Sequence, residues 1–379
     1  MVNNNILVIS DCPTHPTNAG NRSCQLAYCN LLRNLGYNIY FLYFSLDKNK
    51  EIEICMKEYW GDNLFVYSTP SIQRLLQRVI SKFCTYYRLD FFMLDFFCPW
   101  FSSRFVQHIV DDFKINSIII NYIWLSKLFL KVDVKNKVIF THDVFSYKRL
   151  KGNANWFSYS PGKESNALMR CNKILAIQEN EAIYYQYLAP LSKVYTVYSP
   201  YHFHSQKTVG TLNLLFFSGG NEHNLNGIRT FLKNVFPQIK REYPDIKLFV
   251  GGGICKVLCH DDLDKSVIIR GFFDNPADFY QLGDIVINPI FEGTGLKIKT
   301  FEAISYGKIV LAHPHSFEGV FKKECVPMFK CNEIKDYLRY IKDINSELIS
   351  REVVRQKCED YITMLNEEIK KQYQIALTL

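Results

Sequence analysis

No run of about 18 apolar residues occurs in the chain, which argues against a membrane-spanning helix. No basic stretch precedes the first apolar segment. The chain opens Met1-Val-Asn-Asn-Asn and enters a strand at Ile6, so no signal peptide is expected. The 12 cysteines contain no C-x-x-C pair. Cys255 and Cys259 lie four apart beside His260, but a second ligand pair is missing, which favours buried free thiols over a zinc site. Unpatterned thiols fit a reducing compartment, and a cytoplasmic location is expected. No G-x-G-x-x-G follows the first strand, which removes the nicotinamide-dependent dehydrogenases. Short repeats, low-complexity tracts and nucleic-acid recognition motifs are absent too.

What is present is a globular composition. Of 379 residues, 48% are hydrophobic and 22% charged, enough apolar material for a proper core. At about 150 residues per domain the length suggests two domains. The net charge of +8 favours anionic partners such as nucleotides or phospholipid surfaces, although solubility alone would explain it equally well. The 29 Phe and 24 Tyr recur inside apolar segments and read mostly as core.

The first half alternates strand and helix. Strands are expected at Ile6–Ser10, Ile39–Phe44, Leu64–Tyr67, Ser117–Asn121, Val138–Thr141, Ile174–Ile177 and Val194–Val197. Leu26, Leu31, Leu32 and Leu35 mark a helical face, closed by Gly36. A polar, broken stretch over 199–211 reads as a linker. The pattern then restarts. Strands are expected at Leu214–Phe217, Lys247–Val250, Val267–Ile269, Asp284–Asn288 and Ile309–Ala312. Helices are expected near Leu225–Arg241, Pro276–Leu282 and Lys297–Tyr306, with a charged helical tail from Asn332. Strands separated by helices mean parallel sheets. The expected fold is α/β with two Rossmann-like doubly wound domains, 1–205 and 206–345, facing across a cleft. A helical tail, 346–379, is expected to pack back toward the first domain. Ligands in such sheets bind beyond the carboxyl ends of the strands, so the cleft is the expected site.

The most informative segment runs from Asn288 to Gly307. A buried strand ends at Asn288-Pro289, the glycine-bearing loop Gly293-Thr294-Gly295-Leu296 follows, and a helix begins. Glycines there let backbone approach a ligand, and a helix N-terminus offers unpaired N–H groups and partial positive charge. Lys297 and Lys299 add full charges in that turn, where lysine is disfavoured unless an anion neutralises it. A bound phosphate or diphosphate is the expectation. Glu302, three residues past Lys299, lies on nearly the same face and could accept from ribose hydroxyls. A solvated Lys–Glu pair on a surface helix would produce the same residues.

This stretch resembles the nucleotide-binding signature of the retaining GT-B glycosyltransferases of group 1, the glycogen- and sucrose-synthase-like family. The matching residues are Pro289, Gly293, Gly295, Lys299, Glu302, Ala303 and Gly307. The start of the second half is similar as well, through Phe217-Ser-Gly219-Gly and Asn226-Gly-Ile, and Gly271-Phe272 resembles the position whose backbone meets the base. One departure is plain. Many relatives separate two glutamates by seven residues, whereas nine lie between Glu292 and Glu302, so the place of Glu292 beside the donor sugar is open.

The resemblance implies transfer of a glycosyl group from a nucleotide-sugar, UDP- or GDP-linked, with retention of configuration. No metal and no cofactor beyond that co-substrate is implied. The loop Asp11–Arg22 would close on the donor, with Gly20 and Asn21 near the diphosphate and Asn18 and Arg22 as polar neighbours. His142 and Asp143 end a buried strand, as do Gln178 and Glu179; the family often has a histidine near the reacting sugar, while a loop-fixing His–Asp pair would look alike. The acceptor is expected to be a glycan or lipid-linked glycan of bacterial surface polysaccharide. Over 71–105, Arg74, Arg78 and Lys82 line one helical face, with Leu75, Leu76, Val79, Ile80 and Phe83 on another, before the aromatic run 91–101. That pattern suits peripheral contact with the inner face of a membrane, or a surface helix over a buried aromatic core. The rival functions are a nucleotide-sugar epimerase or phosphorylase on the same fold and a non-catalytic binding subunit.

Overall fold

The apolar runs form strands buried on both faces, as expected where helices cover both sides of a parallel sheet. The structure is a computed structural model, and it describes residues 4–17, 20–46, 49–87, 89, 94–148, 158–259, 261–293 and 295–378. The chain divides into two compact units, Met1–Pro200 with Glu368–Leu379, and Tyr201–Glu367.

The first unit holds β1 (Asn5–Ser10), β2 (Asn38–Ser45), β3 (Leu64–Ser68), β4 (Ser117–Asn121), β5 (Asn136–Thr141), β6 (Lys173–Ala176) and β7 (Lys193–Thr196). All pair in parallel in the order β3-β2-β1-β4-β5-β6-β7. The order reverses between β1 and β4, so the loops after these two strands flank the switch point where such sheets take ligands. Leu7, Ile9, Ile118, Ile120 and Ile139 are buried in the core. The helix Gly20–Asn34 ends as its sequence implies, with Gly36 at φ +88 and its N–H returned to the Arg33 carbonyl. The helix Arg351–Leu377 ends in this unit, where Tyr373 stacks on Tyr28 and the Thr378 carbonyl accepts from Lys173.

The second unit holds β8 (Leu214–Phe217), β9 (Leu248–Gly251), β10 (Val267–Gly271), β11 (Ile285–Asn288), β12 (Ile309–Ala312) and β13 (Met328–Lys330), ordered β10-β9-β8-β11-β12-β13 and again parallel. The segment leading into β8 is tied down by the buried Asp284 carboxylate, which accepts from the Val209 and Gly210 N–H groups and pairs with Arg351 at 3.2 Å.

Two expectations differ from this arrangement. The single helix over Leu225–Arg241 is two, Glu222–Asn234 and Phe236–Glu242, because Pro237 has no N–H to continue the ladder and instead sits in the first turn of a new helix. Strand β13 was not anticipated. It has three residues at a sheet edge, too few for a period to show. Among the described residues no helix is long and apolar enough to cross a membrane.

Candidate functional site

Strand β11 ends at Asn288, which is buried and donates from its side-chain amide to Thr300 Oγ1 at 2.8 Å. That bond fastens the strand end to the helix Ile298–Ser305 across the intervening loop. Gly293 (φ +108) and Gly295 (φ +78) adopt backbone conformations open chiefly to glycine. Thr294 lies outside the described residues. Leu296 is half-buried, and its carbonyl accepts from the Ile298 N–H. The helix starts at Ile298 with Lys297 as its N-cap, and no side chain caps it. The Ile298 and Thr300 N–H groups turn back onto the Leu296 and Lys297 carbonyls, so what the helix start offers an anion is chiefly its dipole.

Lys297 occupies the cap position and not the first turn. Its Nζ donates to the Gly293 carbonyl at 3.2 Å and lies 3.0 Å from His315 Nε2. His315 Nε2 is 2.9 Å from the same carbonyl, and its Nδ1 is 3.0 Å from Glu318 Oε2. A lysine and a histidine thus hold the glycine loop from one side. Lys299 takes a different course. Its Nζ donates to Asn224 Oδ1. Burial, with Lys297 nearby, pulls its pKa down to about 7. Burial likewise pushes the Glu302 carboxyl up to about 7, against the pull of Lys299. Two positive groups with a single carboxyl, Glu302, beside them make a place where a bound anion would stabilise both.

The partner helix is built to reach this point. Asn221 caps Glu222–Asn234 by accepting from the Asn224 N–H at 2.9 Å, and Asn224 Nδ2 donates to the Gly219 carbonyl at 2.9 Å. Asn226 Nδ2 donates to Glu292 Oε1 at 3.0 Å, and His223 Nδ1 lies 3.3 Å from the same oxygen. Asn226, with His223 behind it, holds the Glu292 carboxyl below its usual range. Gly227 permits the approach of the helix, since a Cβ there would sit 2.5 Å from Ile290 Cδ1 and 3.2 Å from the Pro289 carbonyl. Phe272 follows the end of β10 with its ring exposed. The structure therefore gathers Gly219, Asn226, Glu292, Gly293, Gly295, Lys297, Lys299 and Glu302 around the ends of β8 and β11. Sequence reasoning missed Asn224, His223 and His315. Their signal was position: each lies just past a strand's carboxyl end in a parallel sheet.

In the first unit, Gly20 is the first residue of the helix Gly20–Asn34, and Asn21 Oδ1 accepts from the Arg22 N–H at 3.0 Å. Asn18 lies outside the described residues. His142 follows β5, with Nε2 2.8 Å from Asn121 Oδ1. Asn121 Nδ2 faces the Ile9 carbonyl at 3.3 Å and the Tyr28 hydroxyl at 2.8 Å, which orients the amide. His142 Nε2 then carries the proton and Nδ1 is left as an acceptor. Burial pushes this imidazole down to about 3, so it is neutral at physiological pH. Asp143 does not bond to His142. Its carboxylate pairs with the buried Lys148, and its backbone carbonyl accepts from the Tyr185 hydroxyl at 2.8 Å. Gln178 caps the helix Glu179–Leu188 and donates at 2.9 Å to Glu181, whose buried carboxyl is raised to about 8 by desolvation.

Residues 212–338 match the family described as glycosyl transferases group 1. An uncharacterized 44.6 kDa protein in the cps region of Klebsiella pneumoniae is 24% identical over 352 residues, covering 83% of this chain and 84% of its own. Among solved structures, TarM has a TM-score of 0.71 at 10% identity over 99% of both chains. HepE of Anabaena, in complex with UDP, has a TM-score of 0.65 at 13% identity over 98% of both. The pneumococcal O-GlcNAc transferase GtfA, in complex with UDP and GlcNAc, has a TM-score of 0.64 at 9% identity, covering 100% of this chain and 99% of its own. At these identities the structural likeness establishes the architecture, and the family match spans the six strands of the second sheet. The chain thus has the GT-B fold, and residues 212–338 of its second unit are similar to the group 1 glycosyl transferases.

Proposed function

We propose that this protein transfers a glycosyl group from a nucleotide-sugar to a glycan or lipid-linked glycan, with retention of configuration and without a metal ion. The observation that carries the reading is the helix start at Ile298 with no side-chain cap, next to the positive-φ glycines Gly293 and Gly295, with Lys297 and Lys299 at its first positions. Developing charge on a leaving diphosphate needs such preorganised donors. In this reading the helix start, Lys297 and Lys299 hold the diphosphate, and Glu302 takes the ribose hydroxyls. Gly219, Asn226, Phe272 and the loop Gly293–Leu296 complete the donor contacts within the second unit. Glu292, engaged by Asn226 and His223, is assigned to the donor sugar in this reading on its nearness to the Gly293 loop. In the first unit His142 offers a neutral imidazole at the end of β5, and Asp143 with its Lys148 pair fixes the loop beside it. The acceptor hydroxyl attacks on the leaving-group side, and the departing phosphate takes its proton. The UDP in the HepE and GtfA structures and the cps-region setting of the Klebsiella relative support a uridine donor and a polysaccharide product.

The test is a thermal-shift panel with UDP, GDP, ADP and CDP, with and without their sugars. Saturating UDP, at about 100 times its Kd, is expected to add about 2.7 kcal/mol of stability. No shift with any of the four nucleotides would end the donor assignment.

A pH dependence accompanies it. In the free protein Lys299 loses its proton near pH 7, and a bound diphosphate restores the ordinary, higher value. Binding above pH 7 therefore takes up a proton. UDP affinity is expected to be full below about pH 6.5 and to fall by up to about tenfold per unit above pH 7, until the pKa of the complex is reached. Calorimetric titration at several pH values in two buffers of different ionisation enthalpy measures both the slope and the proton uptake. A flat profile through pH 9 would contradict the role given to Lys299.

A further inference from the structure

The helix Ser71–Tyr86 shows more apolar surface outward than an ordinary surface helix does. Its inward side is mixed: Gln73, Gln77 and Cys84 are buried, and Ile80 packs against the core. Gln73 Nε2 donates to the Phe96 and Cys98 carbonyls at 3.0 and 2.9 Å, and its Oε1 accepts from the Trp100 N–H at 2.8 Å. Gln77 Nε2 also donates to the Phe96 carbonyl, at 2.9 Å. The outward side is apolar. Ile72 is 64% exposed, Leu75 62%, Val79 57% and Tyr86 80%, with Leu76 and Phe83 exposed between them. These positions recur at spacings of three and four, which places them in one stripe along the helix. A core-facing stripe would bury such side chains, and no described residue of the first unit covers this one.

Charge lies along one edge of the stripe. Arg74, Arg78 and Lys82 follow each other at intervals of four, and Ser71–Tyr86 contains no acidic residue. Nearby, Phe101 is 82% exposed at the left-handed φ of +63, held outward at a backbone cost. The positive character continues in the segment that Gln73 and Gln77 grip. Phe96 and Trp100 help to wall a cavity of about 520 Å³ that also takes Lys127, Lys163 and Arg170, the last paired with Asp95, the one acid among its described lining residues.

We propose that the outward stripe of Ser71–Tyr86 is a docking surface for an anionic lipid bilayer. The apolar side chains enter the acyl boundary, the aromatic rings of Tyr86 and Phe101 lie at headgroup depth, and Arg78 and Lys82 meet lipid phosphates, while the Arg74 guanidinium stays on the Leu46 carbonyl and Ser71 Oγ. Charge decides between a bilayer and a second copy of the chain. A two-fold contact through this stripe would bring its all-basic edge close to itself, whereas an anionic surface complements it. The surface belongs to the first unit alone and does not depend on the proposed glycosyl transfer.

Sedimentation of the whole chain with vesicles tests this. Wild type is expected to pellet with phosphatidylcholine vesicles containing about a third phosphatidylglycerol, and to stay in solution with phosphatidylcholine alone. Leu75→Ser with Val79→Ser should reduce binding about tenfold or more while leaving the melting temperature unchanged, because both side chains are already in solvent. Arg78→Glu with Lys82→Glu should reduce it comparably and provides a second variant if the serine pair melts early. Wild-type protein that stays in the supernatant with both vesicle types overturns the proposal, as does undiminished pelleting of both variants. A lipid-free dimer in analytical ultracentrifugation that the serine pair dissolves would assign the stripe to a second copy instead. UDP binding measured on the same variants keeps the outcome separate from that of the donor site.

Discussion

Replacing Lys299 with methionine is expected to lower kcat/KM about a hundredfold, roughly 2.7 kcal/mol of transition-state binding, while leaving the protein as stable as before or more so. The two halves of this expectation come from the same environment. Burial holds the Lys299 pKa near 7, so below that pH the folded protein carries an ammonium that it disfavours relative to the unfolded chain. The lysine therefore costs stability at low pH, and the cost fades as pH rises from about 7 toward the ordinary lysine range. Methionine keeps the stem's packing and removes the charge. Asn224 Oδ1 loses one donor, but Asn224 keeps its bond to the Gly219 carbonyl and its place in the capping turn. A residue that harms stability and helps turnover is what a binding site retains and a structural site discards. Arginine is not expected to rescue, because a planar fork does not replace the compact ammonium that meets Asn224 Oδ1. The measurements are steady-state kinetics with the nucleotide-sugar identified by the thermal-shift panel, and a melting curve. Wild-type turnover in Lys299→Met, or a marked loss of stability with turnover unchanged, would place Lys299 in the scaffold. Glu302→Ala should show a smaller loss, about tenfold, because a ribose contact is made in the ground state as well as the transition state.

The sheets were legible because buried parallel strands are continuous apolar runs. Ser117–Asn121, Leu214–Phe217 and Ile309–Ala312 have the expected bounds, and the other anticipated strands differ by a residue or two at their ends. Gly36 was legible as a helix stop because only glycine takes its φ of +88 without cost. The donor loop was legible as a segment, from glycines and lysines at a strand-to-helix junction, but the partners of its side chains were not. Lys299 reaches Asn224, 75 positions away, and Lys297 reaches His315, 18 positions away. Neither distance leaves a periodic trace in one sequence. Sequence spacing also misled for Asp143. Adjacent to His142, it turns instead to Lys148, because consecutive side chains at a strand end point in different directions. The helix Ser71–Tyr86 shows the same limit in another form. Its amphipathic pattern was plain, yet the pattern does not say which face turns inward, and Gln73 and Gln77 settle that through carbonyls some twenty residues on.

The backbone beneath the site is held by contacts that tolerate no side chain, and Gly252→Ala is expected to show it. Gly252 sits at φ +88, and a Cβ there would lie 2.6 Å from the Ser218 carbonyl oxygen. That neighbour is backbone and is fixed from both sides: Ser218 O accepts from the Ile254 N–H at 3.0 Å, and the Gly252 N–H donates to the Gly271 carbonyl at 2.8 Å. The ends of β8, β9 and β10 thus meet at one residue. Gly36 supplies the control, since it has the same φ of +88 with no atom within 4 Å of an added Cβ. Gly36→Ala should cost only the left-handed conformation, about 1 to 2 kcal/mol. Gly252→Ala adds overpacking of about 1 to 3 kcal/mol, for a total of roughly 2 to 5. Read as melting temperature, at about 2 to 4 °C per kcal/mol for a unit of this size, Gly252→Ala should fall visibly further than Gly36→Ala. The two should also part in function. Moving Ser218 moves Gly219, whose carbonyl holds Asn224, which in turn holds Lys299. Gly252→Ala is therefore expected to weaken UDP binding at temperatures where it remains folded, and Gly36→Ala is not. Equal melting losses in the two variants would mean that the three strand ends can part without strain. Unchanged UDP affinity in Gly252→Ala would mean that Lys299 is positioned independently of them.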